Sequence, residues 1–150
     1  LGITPAAVHS TLQRARARLD RLEPAIDEIT EPTEQERRDL LDRYADAFEN
    51  ADIEALTHLL TEDAVWQMPP NPSWFAGRDS VIDLLASRLR TKRTRLLPIR
   101  ANGQPGFAMY VDGEAFAIQV LTLRGPAIAA VTAFHNPALV QQRFGLPDRI

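Results

Sequence analysis

The chain of 150 residues carries 45% apolar side chains, 11 prolines, 7 glycines and a net charge of −3, the balance of one ordinary domain with or without an appendage. With no cysteine it excludes a disulfide scaffold, cysteine-ligated zinc, iron–sulfur clusters and thiol nucleophiles. The lack of cysteine also fits a reducing, cytoplasmic home; no apolar run approaches the roughly 18–20 residues of a membrane span, no basic-then-apolar leader precedes the first helix, and no membrane contact is expected.

Residues 4–22 read as a helix. Thr4 suits the N-cap and Pro5 the first helical position, and Val8, Leu12, Ala15 and Leu19 form a one-sided apolar stripe. Its polar side is basic: Arg14, Arg16, Arg18 and Arg21 stand against Asp20 alone. Residues 23–33, acidic and broken by Pro24 and Pro32, read as a linker, and the domain is expected over 34–150. Thr33 with Glu36 is a capping box that opens a helix from Glu34 to about Asn50, with Leu40, Leu41, Tyr44, Ala47 and Phe48 on its apolar side. Asp52 caps a short helix through Leu60. Ala64–Met68 is a strand, ended by Pro69-Pro70-Asn71-Pro72. A third helix spans Gly77–Arg90. Strands follow at Arg93–Asn102, Gly106–Val111, Ala115–Leu123 and Ala127–Phe134, with turns at Gly103-Gln104-Pro105-Gly106, Asp112-Gly113 and Gly125-Pro126. Three helices followed by a run of antiparallel strands is an α+β order.

That order, with Tyr44-Ala45-Asp46-Ala47-Phe48-Glu49-Asn50-Ala51-Asp52, Leu59-Leu60-Thr61-Glu62-Asp63-Ala64-Val65-Trp66 and Trp74-Phe75-Ala76-Gly77-Arg78, resembles the SnoaL-like and nuclear-transport-factor-two-like superfamily over residues 34–135. The resemblance implies a cone in which three helices pack inside a curved antiparallel sheet that encloses a pocket. The opening nineteen residues, Leu1 to Leu19, resemble the last helix of region four of extracytoplasmic-function sigma factors. On that resemblance Gly2 and Ile3 are the turn of a helix-turn-helix, and His9, Ser10, Gln13 and Arg14, with Arg16 behind them, face DNA. Charge alone favours a plain solvated basic face; the match across nineteen positions reverses that preference. The order of the two motifs is that of a sigma-factor subfamily with a SnoaL-like domain after region four. Leu1 falls inside the first motif, so the chain is expected to be a piece of a longer protein. The implied partners are RNA polymerase core, promoter DNA and the sigma core regions, and no cofactor or metal is expected.

The superfamily holds isomerases, cyclases and hydrolases as well as non-catalytic binders, so fold does not decide function. Its enzymes need a carboxylate general base in an apolar pocket. In the isomerase-like pattern that acid lies on the first strand just before a proline, where this chain has Met68, and a thioether cannot abstract a proton. Asp63, at the helix-to-strand junction, reads as capping or solvated. Asp112 and Glu114 read as turn residues. The expected pocket is apolar and aromatic, formed by Trp66, Met68, Trp74, Phe75, Tyr110, Phe116, Phe134 and His135, with Trp74 as a lid or a docking contact. A regulatory sigma-factor domain, with or without a small apolar ligand, is the leading reading. A small isomerase, cyclase or hydrolase using Asp63 or His135 is the alternative, and a homodimerisation module the third.

Overall fold

A computed structural model describes residues 33–89 and 92–150. The DNA-facing helix expected over 1–22, with His9, Ser10, Gln13, Arg14 and Arg16, lies outside those residues, as does the linker up to residue 32.

The described residues form four helices and one six-stranded sheet. Helix α1 spans Glu34–Glu49 and α2 Ile53–Leu59; β1 is Leu60–Gln67 and β2 Trp74–Ala76; α3 is Arg78–Leu89. Then come β3 (Thr94–Ala101), β4 (Gln104–Val111), β5 (Glu114–Arg124), β6 (Ala127–Phe134) and α4 (Ala138–Phe144). The capping box forms: Thr33 N–H donates to Glu36 Oε2 at 2.8 Å and Glu36 N–H to Thr33 Oγ1 at 3.2 Å. The Thr33 hydroxyl, which also donates to Glu36 Oε2 at 2.8 Å, and after it the Thr33 N–H hold the Glu36 carboxyl below its ordinary pKa. Asp52 caps α2 by accepting from Ala55 N–H.

The strand order is β2-β1-β6-β5-β4-β3. The sheet is not wholly antiparallel as expected: β1 runs parallel to β6, while the other four pairings are antiparallel. The chain reaches β1 from α2 at the end where β6 also starts, so the two lie side by side in the same sense. Strand β1 starts at Leu60, four residues before the expected Ala64, because Leu60 already pairs with Ile128 across an irregularity that ends at Val65. Two elements were not expected. β2 is three residues long and follows a proline-rich loop, and α4 lies in the tail. The β3–β4 turn is centred on Asn102-Gly103, both at positive φ (52° and 80°), so Gln104–Gly106 belong to the strand.

The two faces of the sheet are covered differently. Helices α1, α2 and α3 bury Leu40, Tyr44, Phe48, Leu56, Val81 and Leu85 against Leu96, Phe107, Leu121 and Val131 on one face. On the other, Val140 of α4 packs with Ala108, Tyr110 and Ile118. The tail fastens this second layer: Tyr110 OH donates to Pro147 O at 2.7 Å, Ala115 N–H donates to Asp148 O, and Arg149 pairs with Glu114. At the free edge of β3, Glu49 Oε1 accepts the Leu96 N–H at 2.7 Å and its other oxygen meets Arg95 at 3.0 Å. The end of α1 is thereby tied to a strand edge that would otherwise offer an unpaired donor.

One polar pair crosses the main core. Tyr44 OH donates to Gln119 Oε1 at 2.9 Å, and both side chains are fully buried. Burial pushes the phenol pKa far above its ordinary value, so this donor stays protonated at any working pH. Replacing Tyr44→Phe leaves a buried amide oxygen without a donor and is expected to cost about 1–3 kcal/mol in urea denaturation. Thr33→Ala, which removes the helix cap, is expected to cost about 1 kcal/mol in the same assay.

Candidate ligand cavity

Between α3 and the helix-covered face of the sheet lies a cavity of about 640 Å³. Its apolar depth is formed by Phe48 of α1, Trp66 of β1, Leu85 and Leu89 of α3, Met109 of β4 and Ala133 of β6. Phe48 and Trp66 stack with ring centroids 6.2 Å apart and planes within 8°. Met68, Asn71 and Ser73 of the β1–β2 loop form one side. Arg88, Lys92, Phe116 and His135 stand at the exposed end.

The strand period decides which expected residues reach this space. On β4, Phe107, Met109 and Val111 turn toward the helices; Tyr110, between them, turns to the opposite face and joins Ala108 and Val140. On β6 the sequence Val131, Ala133, His135 faces inward, which sends Phe134 outward. Phe116 reaches the cavity through a bulge. Met109 pairs with Ala117 and Tyr110 with Ala115, so Phe116 is the extra residue on β5. A bulge of this kind re-aims its side chain. The Phe116 ring ends 5.2 Å from that of His135.

Of the eight expected pocket residues, Trp66, Met68, Phe116 and His135 line the cavity, and Trp74, Phe75, Tyr110 and Phe134 do not. Phe75 pairs across from Trp66 and packs, half-buried, on the main core. Trp74 pairs across from Gln67, so it takes the outward side; at 68% exposure it borders a shallow groove with Pro69 and Pro72. The two buried polar residues on the wall, Gln119 and Thr94, were missed by the sequence reading. A glutamine within the apolar run Ala115–Leu123 was the available signal.

The cavity's polar chemistry is one-sided. No aspartate or glutamate lines it among the described residues. Asp63 lies on the outer part of β1, where both carboxylate oxygens accept from Arg124 at 2.9 Å; those bonds hold its pKa below the usual range. Glu114 is engaged by Arg149, and Asp112 accepts the Arg93 N–H. The position that the isomerase-like pattern reserves for an acid, Met68, does line the cavity. His135 has its pKa lowered, first by burial and then by the positive charge of Arg88. At the floor, Gln119 Oε1 is occupied by Tyr44, and one N–H of its amide meets Met109 Sδ at 3.3 Å. The second amide N–H has no protein acceptor among the described residues, and Gln119 is part of the cavity wall.

Two kinds of similarity accompany this geometry. Over its whole length the chain is 37% identical to the C-terminal part of the ECF RNA polymerase sigma factor SigG of Mycobacterium tuberculosis, in strains CDC 1551 and H37Rv alike. It spans 42% of the length of those relatives. Among solved structures, an NTF2-like protein from Mesorhizobium loti superposes with a TM-score of 0.58 at 17% identity, covering 71% of this chain and 95% of that one. An LEH-like epoxide hydrolase from M. tuberculosis does so with a TM-score of 0.54 at 16% identity, covering 70% and 86%. These superpositions establish the cone fold alone. No described helix is long and apolar enough to cross a membrane. The model of the SnoaL-like domain matches residues 41–138, the stretch that holds all six strands and the cavity, and the chain belongs to that family.

Proposed function

We propose that this chain is the regulatory, non-catalytic C-terminal part of an extracytoplasmic-function sigma factor, working in the cytoplasm. In this reading it modulates promoter-specific initiation by RNA polymerase, through contact with the sigma core regions and through occupation of its cavity. The observation that carries it is the 37% identity to SigG, which runs through the whole chain and is not confined to the SnoaL-like stretch. Promoter DNA and RNA polymerase core are partners of the full-length protein in this proposal.

The cavity chemistry supports the non-catalytic half of the reading. Proton abstraction needs a base poised near the working pH in contact with the substrate. A wall whose only ionisable groups among the described residues are Arg88, Lys92 and His135 offers one neutral imidazole and no carboxylate. His135 stands at the exposed end beside Phe116, and among the described residues no carboxylate hydrogen-bonds its ring.

In a reconstituted initiation assay, removing residues 34–150 from the full-length sigma factor is expected to change the rate at its promoter, and an unchanged rate overturns the regulatory reading. His135→Ala is expected to leave that protein without any lost turnover. Consumption of a steroid- or polyketide-like compound by the parent chain, abolished in His135→Ala, would establish the enzyme reading instead.

The His135 shift has its own pH consequence. Its folded pKa lies below the ordinary 6.5, so the unfolded chain takes up the proton first as pH falls. Stability is therefore full above about pH 6.5 and declines below it, levelling off once the folded imidazole has also protonated. A titration of the His135 ring by NMR is expected to give a midpoint below 6.5, moving upward in Arg88→Gln; a midpoint at or above 6.5 contradicts the assignment.

A further inference from the structure

Arg88 and Lys92 both line the exposed end of a cavity whose depth is apolar and whose wall also carries Asn71, Ser73, Ser87, Thr94 and Gln119, and among the described residues no carboxylate lies within 4 Å of either. Arg37 and Arg38 pair with Glu34, Arg78 with Glu62, Arg95 with Glu49, Arg124 with Asp63 and Arg149 with Glu114, while Arg43, Arg93, Arg100 and Arg143 share with Arg88 and Lys92 the lack of such a pair among the described residues; what sets Arg88 and Lys92 apart is that they line the cavity. Arg88 lies in the last turn of α3, where the helix dipole welcomes a cation. That accounts for Arg88 alone, since Lys92 lies beyond the helix and joins the same rim from the approach to β3.

The volume, about 640 Å³, falls within the range of small-molecule sites, and such sites combine an apolar body with a few polar groups that fix orientation. Here the charged groups are at the exposed end, and the polar groups of the wall include the buried Gln119 and Thr94. Cations form the mouth, and the uncommitted amide N–H of Gln119, held by Tyr44, lies on the buried wall. A neutral ligand would make no use of the rim, and an organic cation would be repelled by it. The ligand complementary to this arrangement has an extended apolar body and an anionic end.

We propose that the cavity takes an amphipathic organic anion of the carboxylate class, its charge at Arg88 and Lys92 and its apolar body between Trp66, Leu85 and Met109. This assignment rests on the reading of the cavity as a binding rather than a catalytic site. The charge contact is partly solvated, so it contributes preference more than raw affinity and weakens with added salt.

The test uses three probes of equal chain length, decanoate, decanol and decyltrimethylammonium, titrated calorimetrically into the 150-residue chain. Decanoate is expected to bind most tightly and the ammonium least. In the double variant Arg88→Gln/Lys92→Gln, decanoate affinity is expected to fall about fivefold, the effect of two exposed charge contacts, while decanol is unchanged. In a Trp74→Phe background the remaining tryptophan, Trp66, is expected to change its fluorescence as decanoate binds, which places the probe inside the cavity. Equal binding of decanoate and decanol, an undiminished double variant, a silent Trp66 or no binding at all would each overturn the proposal. Failure of the regulatory reading shows separately, as unchanged initiation on removal of 34–150, and decanoate binding would survive it.

Discussion

Each strand of the meander must deliver alternate side chains to two faces, and in this protein the two faces have different covers. Helices α1 to α3 close one, while α4 and the C-terminal tail close the other. A side chain's role therefore depends on its parity within the strand before it depends on its chemistry. Met109 and Tyr110 are neighbours in sequence; one lines a cavity and the other anchors the tail through Pro147. The two β5 and β6 bulges break this parity locally, and the one at Phe116 places an aromatic ring at the cavity mouth.

Most elements were legible because local chemistry and global fold agree at their boundaries. Thr33 and Asp52 make the caps that their sequence positions announce, and Asp112-Gly113 makes its turn. What was not legible depends on pairing between distant segments. Nothing in Trp74-Phe75-Ala76 marks a strand until Val65–Gln67 lies beside it. The parallel pairing of β1 with β6 joins segments more than sixty residues apart and follows from where α2 delivers the chain. The tail helix is short and apolar on one side only because Val140 finds a sheet face that three other helices leave bare.

The candidate site was legible in half its members for the same reason. Composition identified Trp66, Met68, Phe116 and His135 as large or polar groups near the end of the cone. It could not separate them from Phe75, Tyr110 and Phe134, which differ in the face they take and not in kind. Trp74, expected as a lid or docking contact, does not line the cavity; it is exposed on the outer side of the edge strand, beside a groove that shares Met68, Asn71 and Ser73 with the cavity wall. Gln119 escaped notice because a lone glutamine in an apolar strand acquires meaning only through Tyr44, seventy-five residues earlier.

That no carboxylate lines this cavity among the described residues bears on more than proton transfer. A carboxylate in an apolar pocket carries a cost that must be offset by partners or by an elevated pKa. Among the described residues the wall holds Met68 and no carboxylate, and its ionisable groups are Arg88, Lys92 and His135. Burial, and after it the positive charge of Arg88, lowers the His135 pKa and favours the neutral imidazole. A molecule bound here would touch α3, the β1–β2 loop and the sheet together, because the lining is drawn from all three. Its binding free energy then adds to the cohesion of those layers. For such a molecule to alter anything outside the domain, it must favour one arrangement of α3 and the loop over another, since equal affinity for both would shift neither.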